Sequence, residues 1–186
     1  MSDAPDSYSL AEALSASTDP YYAAFGRFIT GFATTEGVVR SLLEQLVKTS
    51  KAEGAALFHK LSVSDTIATI NRLLATRDAT ALIADVKEPF IQLQAIGEIR
   101  NALVHWDGRL TETDGFIVKN THRAHLPTKV QEYRVGIEQL VQMTTDLIKI
   151  DLHILTAMDL GKTRAAVVDA IVQPLLAGAW LYIRPV

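Results

Sequence analysis

The sequence contains no cysteine. That excludes a disulfide framework and thiolate chemistry, and it fits a reducing, cytoplasmic setting. Positive charge is not in excess either: 18 Lys and Arg stand against 21 Asp and Glu, a formal net charge of −3. The surface as a whole therefore does not attract nucleic acid, and any polyanion site is local. An uninterrupted apolar run is also missing. The most apolar stretch, residues 165–183, is broken by Asp169, Gln173, Pro174 and Gly178. It reads as a buried helix and tail rather than a membrane span. The first residues, Met1-Ser2-Asp3-Ala4-Pro5-Asp6, are polar and acidic, unlike a secretory leader. Gly161-Lys162-Thr163 echoes the end of a P-loop but has no upstream glycine at the required spacing and no preceding strand. His59, His122, His125 and His153 are scattered. No metal and no cofactor are expected from them.

What is present is enough chain for one domain with a sizeable core: 186 residues, 48% of them hydrophobic. Residues 1–19 read as a flexible N-terminal arm with one helical turn, and residues 20–186 as a single helical domain. Asp19-Pro20 is a good helix start. The helix it opens is expected to reach about Ser50, because Phe25, Phe28, Ile29, Phe32, Val39, Leu43 and Leu46 recur at helical spacing. Lys51-Ala52-Glu53-Gly54 then ends it. Ser62 and Asp65 are spaced as a capping box, and Ile67, Ile70, Leu73 and Leu74 mark the helix that follows. A fourth helix covers about 79–106, with Pro89 as a kink. Asp114-Gly115 between two short apolar runs predicts a hairpin. A polar loop over 120–127 carries His122 and Arg123. A long helix over 129–158 and a last one over 163–173, stopped by Pro174, complete the chain. The predicted class is all-α: an antiparallel helical bundle with one small β-hairpin inserted after the fourth helix.

The stretch that calls for chemistry is Glu98-Ile99-Arg100-Asn101-Ala102-Leu103-Val104-His105-Trp106. A guanidinium and an imidazole at an apolar helix end need a reason. One is structural: arginine clamps backbone carbonyls, and histidine favours a helix C-terminus. The other is a phosphate site. Imidazole titrates near neutral pH and can move a ribose hydroxyl proton, while guanidinium grips phosphate through a bidentate fork. Asn101 could then orient the histidine or donate to phosphate. Arg100 and His105 lie about 140° apart on an ideal helix, so one helix does not bring them together. A second copy of the chain could. Glu36 interrupts the apolar stripe of the first helix, four residues after Phe32. It either sits at the edge of the stripe and reaches water, or pairs with a buried cation, for which Arg100 is the best candidate.

Arg100-Asn101-x-x-x-His105 at the end of a late helix resembles the Arg-x(4–6)-His signature of HEPN domains. The early helix with Phe28, Phe32, Glu36 and Leu43 is similar to that family too. The resemblance implies a helical domain that forms a homodimer with two motifs facing one cleft. It implies metal-independent endoribonuclease activity, in toxin–antitoxin, defence or stress-response settings. Arg100 and His105 would be catalytic, with Asn101 and Glu36 supporting. Independently of the resemblance, His122 and Arg123, in the loop after the hairpin, read either as a local basic rim that guides RNA or as part of an ordinary mixed surface. An antitoxin protein becomes a possible partner, and a membrane does not. Asp107 stands two residues after His105, where members controlled by adenylylation carry tyrosine; that form of control is not expected. The competing reading is a non-catalytic HEPN-like module for interaction and dimerisation, in which the same residues stabilise the helix end.

Overall fold

The computed structural model describes residues 7–111, 115–121, 127–158 and 166–184. Among these described residues, six helices and three strands follow in order: α1 (Ser7–Val47), α2 (Lys51–Phe58), α3 (Val63–Thr76), α4 (Thr80–His105), β1 (Asp107–Thr111), β2 (Gly115–Lys119), β3 (Glu132–Val135), α5 (Ile137–Ala157) and α6 (Ala166–Ala177). A short 3-10 turn, Pro127–Lys129, precedes β3. The chain is thus mostly helical, as its periodicity indicates, with a small antiparallel sheet of order β1-β2-β3.

Several boundaries differ from the sequence reading, each for a local reason. α1 does not begin at Asp19-Pro20 but runs through Pro20 from Ser7. The missing proline N–H removes one bond from a 41-residue helix, which the rest of the helix tolerates. Lys48, in a left-handed conformation (φ 60), ends the helix. Gly54 does not terminate anything; it lies inside α2. That helix is opened by Ser50, whose hydroxyl accepts from the Glu53 N–H (3.3 Å) while its own N–H donates to Glu53 Oε2 (2.8 Å). Pro174 likewise lies within α6 rather than after it.

The expected hairpin is there, but a third strand joins it. Residues 132–135, assigned from the sequence to a long helix, pair with β2, Tyr133 opposite Val118. Val130, Tyr133 and Ile137 happen to mimic helical spacing. The helix begins only after Gly136, whose N–H donates to the Gln139 side chain at 3.1 Å. Gly115 turns the hairpin at φ 73, and a Cβ there would meet the Val135 carbonyl oxygen at 2.6 Å. Tyr21 stacks on Phe116 (5.8 Å) and Trp106 on Tyr133 (5.3 Å), which fixes the sheet against α1 and the end of α4.

The helices are not uniformly antiparallel. Gly31 lies against Thr144 and Leu147, while Gln45 further along donates to the Met158 carbonyl at 3.1 Å. α1 and α5 therefore run in the same direction. The start of α3 lies beside Phe32 and Glu36, and Arg77 after its end donates to the Leu46 carbonyl at 2.6 Å, so α3 is parallel to α1 as well. α4 runs against α5: Ile99 shares a pocket with Met143, Gln92 bonds Asp146, and Asp85 shares a cavity with His153. Phe28, Phe32, Leu42 and Leu43 of α1, Ile70 and Leu74 of α3, Phe90, Leu93 and Ile96 of α4, and Leu140, Met143 and Leu147 of α5 form one buried core. Burying such side chains contributes about 1.5–3 kcal/mol each before entropy is counted.

One carboxyl group in this packing opposes folding at neutral pH. Oδ1 of Asp151, on α5, is buried without a hydrogen-bond partner. Burial raises the group from 3.8 to about 6, with the Thr35 hydroxyl pulling the other way. Below the lower value it is protonated in both states and contributes nothing. As pH rises through the window between the two values, the unfolded chain releases its proton first, so the fold loses stability, and the loss persists above. Asp151→Asn is therefore expected to be more stable than wild type by about 1 kcal/mol near pH 7.5, allowing for its partial exposure, and no more stable near pH 3.5. Urea melts at the two pH values check this; an equal difference at both would contradict it.

Candidate functional site

The last turns of α4 meet α1 and the start of α3. Gly97 makes the close approach possible: a Cβ there would lie 3.5 Å from the Phe32 ring. One turn on, the Arg100 guanidinium sits over that ring, 5.5 Å from its centroid. Nη1 donates to Asn101 Oδ1 at 3.1 Å. Nε is buried and has no partner. A cation half withdrawn from water thus spends few of its five donors on the protein. Leaving a buried donor unpaired costs on the order of 1–3 kcal/mol.

Arg100 borders a polar cleft of about 440 Å³, lined by Phe32, Glu36, Ser62, Val63, Ser64, Gln94, Gly97, Glu98, Arg100 and Asn101. The start of α3 forms one wall. Its cap is self-contained: the Ser62 hydroxyl accepts from the Asp65 N–H (3.1 Å) and donates to Asp65 Oδ2 (2.7 Å). The N–H groups of Val63 and Ser64 are first-turn donors with no helical acceptor. Together with the positive end of the helix dipole, they make this wall attractive to an anion. Two carboxylates also line the cleft. Glu36 is half-buried there and forms no ion pair with Arg100. Glu98 pairs with Arg184 at 2.6 Å.

Arg184 arrives by way of the C-terminal segment. Asp146, buried on α5, accepts from the Leu181 N–H (3.0 Å to Oδ1) and the Tyr182 N–H (2.8 Å to Oδ2). Gln92 of α4 donates to Asp146 Oδ2 (2.9 Å) and to the Tyr182 carbonyl (2.8 Å). Lys149 donates to the Gly178 carbonyl and lies under the Trp180 ring, 4.4 Å from its centroid. These contacts strap residues 178–184 across α4 and α5.

The structure brings Arg100, Asn101 and Glu36 to one cleft. It does not bring His105 there. His105 is exposed on the last position of α4 and is not among the residues that line the cleft. The helical arithmetic already separates it from Arg100. His122 and Arg123 lie outside the described residues. Sequence reasoning missed the α3 start and Arg184 as parts of this region. The Ser62–Asp65 cap was legible, but its proximity to Arg100 follows only from the parallel packing of α1 and α3. Arg184 carried no signal at all.

Among the described residues no group of three His, Asp or Glu could hold a metal ion, and no helix is long and apolar enough to cross a membrane. Comparison with protein-family models, curated proteins and solved structures finds no match for the chain.

Burial separates side chains that hold this region from those that face outward. Phe32→Ala is expected to cost about 4 kcal/mol, as a buried aromatic truncation does. Asn101→Ala and His105→Ala, at exposed positions, are expected to stay within about 0.5 kcal/mol of wild type. Chemical denaturation measures all three; a large loss for His105→Ala would make that residue structural.

Proposed function

We propose that the chain is a HEPN-like, metal-independent endoribonuclease that acts as a homodimer, in a toxin, defence or stress-response setting. The observation that supports it most is Arg100: a partly desolvated guanidinium with unspent donors, beside free amides of a helix start, in a cleft of phosphate-accommodating size. Such a fork costs stability unless a ligand uses it, and phosphate fits its geometry. The Arg-Asn-x-x-x-His run supplies the second support.

In this reading Arg100 binds the scissile phosphate and stabilises the charge that grows on it in the transition state. The ribose 2′-oxygen attacks phosphorus, its proton passing to an imidazole, and the bond to the 5′-oxygen breaks as that oxygen takes a proton. The products are a 2′,3′-cyclic phosphate and a 5′-hydroxyl. His105 does the proton transfer. Because His105 stands apart from the Arg100 cleft of its own chain, a second copy would supply it, with Asn101 orienting either partner. An antitoxin protein is an expected regulator in such a setting.

A non-catalytic interaction module is the second reading. The two carboxylates in the cleft favour it, since Glu36 and Glu98 oppose an anion.

Purified protein incubated with varied RNAs in EDTA separates the two. The nuclease reading expects fragments with cyclic phosphate ends. It also expects cleavage to fall by about 100-fold or more in His105→Ala and in Arg100→Ala, with fold and dimer intact. Intact RNA after incubation with well-folded wild-type dimer would overturn it.

A further inference from the structure

A phosphate site with two carboxylates and one guanidinium in its walls has an electrostatic problem. Glu36 and Glu98 outnumber Arg100, and the fractional charge of the α3 start covers only part of the deficit. Among the described residues, the cation that pairs with either carboxylate is Arg184, on Glu98. Its position is not left to a loose tail. Three and two residues before it, Leu181 and Tyr182 hand their backbone N–H groups to buried Asp146, and Gln92 closes the latch from α4. A buried carboxylate that satisfies tail amides fixes the tail's register. Arg184, two residues further on, is thereby confined to the neighbourhood of Glu98, which lines the cleft.

We infer that the C-terminal strap supplies the second cation of the site. Arg184 neutralises Glu98 and contacts a backbone phosphate next to the one held by Arg100, so that the cleft prefers a single-stranded polynucleotide over a lone phosphate. This rests on the phosphate reading of the cleft. Arg184 is a binding and positioning residue and takes no part in proton transfer. Glu98 and Arg100 stand about 200° apart around α4, so the two guanidiniums, one half-buried over Phe32 and one on the strap beside Glu98, flank the cleft-lining face of the helix from opposite sides and give a strand a direction across the site.

The test uses the full chain and a single-stranded 2′-O-methyl oligoribonucleotide, which binds without being cut. Its affinity is measured by fluorescence anisotropy across a salt series. Each phosphate neutralised on a single strand contributes about −0.7 to the slope of log affinity against log salt. Arg184→Gln is expected to make the slope shallower by about 0.7 and to weaken binding by roughly five- to tenfold at low salt. Arg184→Lys is expected to keep the wild-type slope, which a packing role for the guanidinium would not produce. Asp146→Asn, which loosens the latch, is expected to reproduce the shallower slope where the protein remains folded. Wild-type affinity and slope in a folded Arg184→Gln protein would overturn the inference, as would a wild-type protein that does not bind the oligonucleotide. Cleavage of ordinary RNA is scored separately. Binding that depends on Arg184 without any cleavage leaves Arg184 in place and removes the nuclease. Cleavage that is indifferent to Arg184 does the reverse.

Discussion

Asp146 accepts hydrogen bonds from the backbone of Leu181 and Tyr182 and from the side chain of Gln92. A carboxylate at 1% exposure is tolerable only because those donors surround it. The dependence runs both ways. Without the strap, Asp146 would be a buried charge without its main-chain partners. Without Asp146, the tail would have no anchor in the core, and Arg184 would have no fixed address. One side chain therefore couples α4, α5 and the C-terminal residues. The neighbouring Lys149, with its bond to Gly178 and its place beneath Trp180, extends the same seam.

The cleft follows from chain direction. α1 and α3 run in parallel, so the positive start of α3 arrives beside the middle of α1. α4 runs the other way, so its last turns arrive at the same level. Three elements thus meet where Phe32, Ser64 and Arg100 stand. Phe32 withdraws one face of the guanidinium from water and Gly97 permits the approach. What remains is a cation with unsatisfied donors facing a helix start. An arrangement of that kind costs stability and is expected where a ligand compensates.

Much of this was legible in the residues. The stripe from Phe25 to Leu46 gave the long first helix, Ser62 and Asp65 gave the start of α3, and Asp114-Gly115 gave the hairpin. The separation of Arg100 from His105 came from helix geometry alone. Other parts were hidden for physical reasons. Tyr133 and Ile137 share a spacing that suits either a helix or a strand feeding a helix, so β3 was assigned to α5. Gly54 reads as a stop, yet Ser50 and Glu53 form a complete capping box around a new helix. Helix direction depends on how α2 carries the chain from α1 to α3, which no local pattern encodes. Asp146 looks like any polar residue of an amphipathic helix until the tail folds over it. Glu36 was recognised as anomalous in its stripe. The structure places it in the cleft with Arg100, without an ion pair between them.

The most direct measurement follows the cleft with an anion present. Inorganic phosphate is titrated into 15N-labelled protein, and the Val63 and Ser64 amides and the Arg100 side-chain N–H are observed by NMR. If the cleft is a phosphate site, these resonances move together, saturate at one shared dissociation constant, and lose the response in Arg100→Gln. Resonances that stay still, or that move equally in the variant, would contradict a phosphate site between α3 and α4.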